Sequence, residues 1–203
     1  GVSIINGWAS FIDRNNILVR ENENDISGIK LNGKRILIAV GGAPNRLAIP
    51  GAELAWVSDD IFLLKKLPEN ILIVGAGFIA CEFSCILNAL GVKVKQLVRG
   101  DRLLRGFDKE LSDLLAQNMK QNGIELNFGK YPISIEGSSG MLQVKTNTHD
   151  SKIFGGVLFA IGRSPCLNRL KLPFAGVKYQ DERVIVDEHQ ATNIPNIYAV
   201  GDV

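Results

Sequence analysis

With 203 residues, 46% hydrophobic and 22% charged, the chain has the composition of an average soluble globular protein, long enough for one ordinary domain and pieces of a second. A net charge of +2 offers no basic surface for a nucleic acid or an anionic membrane, and no apolar run reaches the ~20 residues that cross a bilayer. Three cysteines without framework spacing (Cys81, Cys85, Cys166) suit a reducing compartment, and two distant histidines (His149, His189) leave no metal-ligand cluster.

Residues 1–40 hold four short strand candidates: "VSII", "ASFID", "NILVR" and "RILIAV". "GGAPNRLAIPG" (41–51) is a Gly/Pro loop expected to cross between domains. "ILIVGAG" (71–77) is an apolar, β-branched run ending in glycines, as a strand buried on both faces should be. "FIACEFSCILNALG" (78–91) follows with Ile79, Phe83, Ile86, Leu87 and Leu90 at helical spacing and Gly91 as a C-terminal cap. Cys81 and Cys85 lie four apart on one face of that helix, as a redox pair or, more ordinarily, as buried thiols.

"VKVKQLV" (92–98) reads as the next strand. Residues 108–123 read as an amphipathic helix with Leu111, Leu114, Leu115 and Met119 on one face, and "IELNFG" (124–129) as a third strand. This βαβαβ order makes a parallel sheet with right-handed crossovers. A β-meander is expected around 131–135, 141–146 and 152–154, and another buried strand at "GVLFAIG" (156–162). "GRSPCLNRLKLP" (162–173) would be the return crossing, followed by strands in "RVIVD" (183–187) and "NIYAV" (196–200). The expected architecture is α/β, with a Rossmann-like domain (51–167) inserted into an incomplete second domain (1–50 and 168–203). Because the chain stops just after a strand, leaving a sheet edge open, it is expected to be an internal fragment of a longer protein.

Gly75-Ala76-Gly77-Phe78-Ile79-Ala80 fits G-x-G-x-x-G/A between a strand and a helix, the context that makes this pattern a dinucleotide fingerprint. Gly75 allows the tight turn, Gly77 lets a pyrophosphate approach the backbone, and Ala80 lets the helix pack closely on the sheet. The anion would sit on the free N–H groups of the helix N-terminus. The second strand then ends not in an acid but in "LVRGDRLLR" (97–105). A carboxylate there would accept from a ribose 2′-OH, whereas arginines match a 2′-phosphate, so NADPH is favoured over NADH. Arg99 and Arg105 are the expected clamp and Arg102 the less decisive member. Asp101 reads as a loop residue; an adhesion role for Arg99-Gly100-Asp101, or a plain solvated loop, are the other readings.

With these residues in view, the chain resembles the flavin-dependent pyridine nucleotide–disulfide oxidoreductases, and within them most closely the glutathione reductases of the cyanobacterial and plant-like kind. "ILIAVGGAP" (36–44) resembles the first domain crossing, with Val40 in place of a threonine; "VGAGFIACEF" (74–83) the NADPH turn; "VRGDRLLRGFD" (98–108) the phosphate-recognition segment; "FAIGRSP" (159–165) the return crossing; and "NIYAVGD" (196–202) the flavin strand and aspartate.

The resemblance implies that Gly75, Ala76, Gly77, Ile79, Ala80, Glu82, Arg99, Arg105 and Gly162 serve NADPH, and that Ala9, Gly42, Gly201 and Asp202 serve FAD. It also implies that Glu82 approaches the nicotinamide, and that Phe78 stands where the family often has a tyrosine gate, its ring kept and its hydroxyl lost. The bland alternatives are a solvated helix charge for Glu82, core packing for Phe78 and Ala9, and a turn residue for Asp202.

The implied reaction passes hydride from NADPH to flavin, then electrons to a protein disulfide and on to glutathione disulfide, in a homodimeric parent protein of the cytoplasm or, if plant-like, the plastid stroma. The family's C-x₄-C pair and its closing domain are not in this sequence, so the chain alone is expected to be inactive. Related readings are the mercuric, trypanothione and dihydrolipoamide reductases; a different class is a non-catalytic NADPH-binding module.

Overall fold

The β-branched runs and short turns of the sequence set the strands, in the computed structural model, which describes residues 1–22, 25 and 27–203. The chain opens with β1 (Trp8–Phe11), β2 (Asn16–Arg20) and β3 (Ile29–Asn32), an antiparallel meander, then β4 (Ile36–Ile38) and β5 (Gly42–Pro44). The central stretch contains β6 (Trp56–Val57), the short α1 (Ser58–Ile61), β7 (Asn70–Val74), α2 (Phe78–Ala89), β8 (Lys93–Val98), α3 (Lys109–Gln121) and β9 (Glu125–Phe128). It continues through β10 (Pro132–Ser138), β11 (Met141–Thr146), β12 (Ser151–Phe154) and β13 (Gly156–Phe159). Last come β14 (Arg163–Pro165), α4 (Leu172–Ala175), β15 (Tyr179–Gln180), β16 (Arg183–Val184) and β17 (Ile197–Ala199).

The chain divides into two compact units, Pro44–Arg163 and a discontinuous one of Gly1–Ala43 with Ser164–Val203. In the central unit, β6-β13-β7-β8-β9 form one sheet, parallel throughout. Alternation along the strands splits its two faces. Ile71, Ile73, Val94 and Val98 face α2 and α3, packing with Ala80, Cys81, Leu87 and Met119. Leu72, Val74, Leu97, Val157 and Phe159 face the other way, onto Ile135, Leu142, Val144 and Phe154 of the antiparallel β10-β11-β12 sheet. The result is three layers: helices, parallel sheet, meander. In the discontinuous unit, β4 pairs in parallel with β17, over a core that includes Phe11, Ile36, Ile38, Leu170, Leu172 and Ile197.

Several expectations need correction. "VSII" forms no strand; residues 1–6 have no regular structure, and Val2 and Ile4 are exposed. "RVIVD" shrinks to the two residues of β16. The helix faces also differ from the apolar spacing. In α3 the buried stripe runs through Ser112 and Met119, with Leu115 and Ala116 packed beside it. Leu111, one residue off that stripe, is 63% exposed, and Leu114 is exposed as well. Ser112 takes the inward place because its hydroxyl donates to the Leu103 carbonyl at 2.6 Å. In α2 the inward residues are Ala80, Cys81, Ser84 and Leu87, while Ile86 and Leu90 face out. Small residues there let the helix lie close to the sheet. Of the two helix cysteines only Cys81 is buried; Cys85 is exposed. No helix among the described residues is long and apolar enough to cross a membrane.

Candidate functional site

The two fingerprint glycines turn out to have different physical reasons. Gly75 leaves β7 at φ +144, and a Cβ built on it would lie 2.1 Å from the Ala160 carbonyl oxygen. No side chain fits, so this glycine is demanded by the packing of β7 against the chain after β13. Gly77 is the N-cap residue of α2 with φ −80, and a Cβ there meets nothing within 4 Å. No side chain caps this helix end. The first amides of α2 therefore face open space, with the positive end of the helix dipole behind them.

The arginine loop after β8 is anchored, not loose. Leu103 is fully buried, and its carbonyl accepts from Ser112. The Leu104 amide donates to the Ala76 carbonyl at 2.7 Å, tying this loop directly to the glycine turn. Gly129 donates to the Gly100 carbonyl at 3.0 Å, and the Asp108 carboxylate caps α3 by accepting from the amides of Glu110 and Leu111. Arg99, Arg102 and Arg105 thereby stand around one cavity of about 400 Å³, with Gly75, Ala76, Gly77, Tyr131 and Gly162. Among the described residues, none of the three arginines is paired with a carboxylate. These residues follow the carboxyl ends of β7, β8, β9 and β13, and β7 is where the chain order turns from one side of the sheet to the other. That is the position at which open α/β sheets bind ligands.

Of the residues expected to serve the dinucleotide, Gly75, Ala76, Gly77, Arg99, Arg105 and Gly162 share this cavity. Ile79 is half-buried against the core and Ala80 is fully buried against the sheet, so they shape the turn from behind. Phe78 is 59% exposed, which excludes the core reading, and Glu82 is exposed one turn further along α2. In the other unit, Gly42 follows β4 and Asp202 follows β17, and a Cβ built on Gly42 would lie 3.7 Å from that of Asp202. Gly201 takes φ +88 beside them. Ala9 lies on a different sheet, opposite Val19 in β2. Arg102 lines the cavity beside the other two arginines, as do Tyr131 and Leu47, which the sequence does not single out. Tyr131 had one available signal, its place just after a parallel strand.

Burial pushes the Cys81 thiol up to about 11, and the partial desolvation that remains at the largely exposed Cys85 raises it in the same direction, so neither is an activated thiolate at neutral pH. A thiol reagent at pH 8 is expected to modify exposed Cys85 and Cys166 and to spare Cys81, as mass spectrometry of the labelled chain would show. Fast labelling of Cys81 would contradict its burial. Because the folded-state thiol binds its proton more tightly than the unfolded one, its contribution to stability is complete below pH 9.0 and is lost as pH rises through about 11.

All 203 residues match the family described as Pyridine nucleotide-disulphide oxidoreductase. The chain belongs to this family. FAD and NADPH are the family's cofactors. Glutathione reductase of Burkholderia cepacia is 41% identical over 183 residues, covering 90% of this chain and 41% of the relative. Mitochondrial thioredoxin reductase 2 of Drosophila melanogaster is 40% identical over 181 residues, covering 86% and 35%. The solved HOCl-induced flavoprotein disulfide reductase RclA of Escherichia coli superimposes with a TM-score of 0.87 at 26% identity, covering 98% of this chain and 45% of that one. The chain thus spans less than half the length of these proteins.

The cavity fits a phosphorylated nicotinamide dinucleotide on its own terms. It offers an uncapped helix terminus, space at Gly77 that a Cβ would occupy, and three arginines without carboxylate partners.

Proposed function

We propose that Pro44–Arg163 binds NADPH in a flavoprotein disulfide reductase, and that the whole protein reduces glutathione disulfide. The observation that carries the cofactor half is the placing of Arg99, Arg102 and Arg105 around the same cavity as Gly77. On this reading the pyrophosphate lies on the α2 amides at Gly77 and the 2′-phosphate lies among the arginines. Gly162 flanks the nicotinamide end, and Phe78 and Glu82 lie toward the flavin. Gly42, Gly201, Asp202 and Ala9 belong to the FAD side, in the discontinuous unit. NADPH supplies hydride; these residues bind and orient it.

Glutathione disulfide is favoured by the whole set of motifs and by the glutathione reductases among the relatives. A second reading, a thioredoxin-type protein disulfide, is favoured by the 40% identity to the Drosophila enzyme. A homodimer in the cytoplasm or the plastid stroma belongs to the same proposal.

The test of the cofactor assignment is titration of the 203-residue chain with NADPH and NADH, followed by nicotinamide fluorescence. NADPH is expected to bind at least about tenfold tighter, the worth of one charge-assisted hydrogen bond. Equal affinities would remove the arginine argument. Assays of the full-length protein with glutathione disulfide and with oxidised thioredoxin then separate the two substrate readings.

A further inference from the structure

The second strand of the dinucleotide unit carries one residue out of keeping with its surroundings. Gln96 lies in the middle of β8 at 0% exposure, between Ile73 of β7 and Leu126 of β9 in the sheet register. An amide buried there is costly unless every polar atom finds a partner. Gln96 finds two. Its Oε1 accepts from the Ser84 hydroxyl at 2.8 Å, and its Nε2 donates to the Gly75 carbonyl at 2.9 Å. Ser84 is also at 0% exposure, on the inward face of α2. An aliphatic residue would fill the same space in a core of this kind; what it would not do is hold a backbone carbonyl.

The carbonyl it holds is that of the first glycine of the turn. The Gly75 amide donates to the Leu97 carbonyl at 3.0 Å, so both polar groups of this residue are tied to consecutive residues of β8. The peptide bonds are all trans among the described residues. In a trans peptide the C=O and the following N–H point in opposite directions. With the Gly75 carbonyl drawn toward Gln96, the Ala76 amide is turned away from the sheet interior. The Ala76 carbonyl in turn accepts from Leu104, in the arginine loop.

We propose that Gln96, oriented by Ser84, is a positioning residue for dinucleotide binding, fixing the Gly75–Ala76 peptide so that its amide is presented to the pyrophosphate. The inference rests on the NADPH reading above. It joins the two halves of the site mechanically: the strand that leads into Arg99 also sets the orientation of the turn that cradles the pyrophosphate.

The test uses the 203-residue chain and two probes, NADPH and adenosine 2′-phosphate. The second probe engages the arginines but has no pyrophosphate to lay on the turn. Gln96→Leu is expected to raise the NADPH dissociation constant roughly tenfold, equivalent to one lost hydrogen bond, while changing that of adenosine 2′-phosphate by less than about twofold. Ser84→Ala should act in the same direction but more weakly. The double variant should bind NADPH no worse than Gln96→Leu, because the two residues act as one unit. An unchanged NADPH affinity in Gln96→Leu, or equal losses for both probes, overturns the proposal. If Gln96→Leu does not fold, Ser84→Ala carries the same comparison, and an unchanged NADPH affinity there overturns it. A wild-type chain that fails to bind NADPH defeats the NADPH reading itself, a result distinct from a wild-type chain that binds and a variant that binds equally well.

Discussion

Gly77→Ala should leave the fold standing and weaken NADPH binding by about a hundredfold, while Gly75→Ala should act first on stability, destabilising the unit by about 3 kcal/mol or more. The two residues look interchangeable in a fingerprint, yet their surroundings are opposite. A methyl group on Gly77 meets no protein atom within 4 Å, and its φ of −80 is open to any residue. Its stability cost is that of an alanine at an N-cap in place of glycine, below about 1 kcal/mol. The methyl would instead occupy the space into which a pyrophosphate must come to reach the α2 amides, and losing that approach is worth on the order of 3 kcal/mol, or about a hundredfold.

A methyl on Gly75 would lie 2.1 Å from the Ala160 oxygen and 2.8 Å from its carbon, at a φ of +144. Those are backbone atoms of the chain leaving β13, and they cannot rotate away. The expected loss is about 3 kcal/mol or more, from overpacking together with a strained backbone. Urea unfolding of both variants beside NADPH titration checks the pair. Wild-type affinity in Gly77→Ala would mean that no pyrophosphate passes this glycine.

The contrast between these two glycines also marks how far the sequence could be read. The parallel sheet, its two crossover helices and the meander were legible because long apolar strands such as β7 and β13 admit few alternatives. The helix faces were less so. Spacing of large apolar residues points to Ile86, Leu90 and Leu111, which are exposed; Ala80 and Cys81 are buried as expected, while Ser84 and Ser112 take inward places that the apolar pattern does not mark. Hydrogen bonds to buried oxygens decide the two serine positions, and these do not show in a hydrophobic pattern. The same limit hid the pairing of Ser84 with Gln96, since a polar residue inside an apolar strand announces a partner without naming it. The turn and the arginines read as separate motifs; that Leu104 ties one to the other depends on a backbone bond no motif encodes.

Arg99→Glu is expected to weaken NADPH binding by at least tenfold to a hundredfold and to leave NADH binding unchanged or slightly improved. A charge-assisted hydrogen bond to a phosphate is worth about 1.5–3 kcal/mol, and the introduced carboxylate adds repulsion to the loss. The same carboxylate at the end of β8 is the group that accepts from an unphosphorylated ribose, so NADH need not suffer. Raising the salt concentration should weaken NADPH more than NADH and so erode the wild-type preference, because Arg99 and Arg105 are exposed and their attraction to the extra phosphate is screened. Equal losses for both dinucleotides in the Arg99 variant would place this arginine on the pyrophosphate instead of the 2′-phosphate.

The loop's own glycine belongs to this argument. A Cβ on Gly100 would come within 3.1 Å of the Arg105 guanidinium, so the bare backbone between Arg99 and Asp101 leaves room for Arg105 to lie across it. Gly100→Val should therefore mimic part of the Arg105 loss, weakening NADPH relative to NADH with all three arginines still in place. That outcome would identify the R-G-D spelling as clearance for a guanidinium. Arg102, half-buried on the same cavity, then becomes testable on equal terms with its two neighbours.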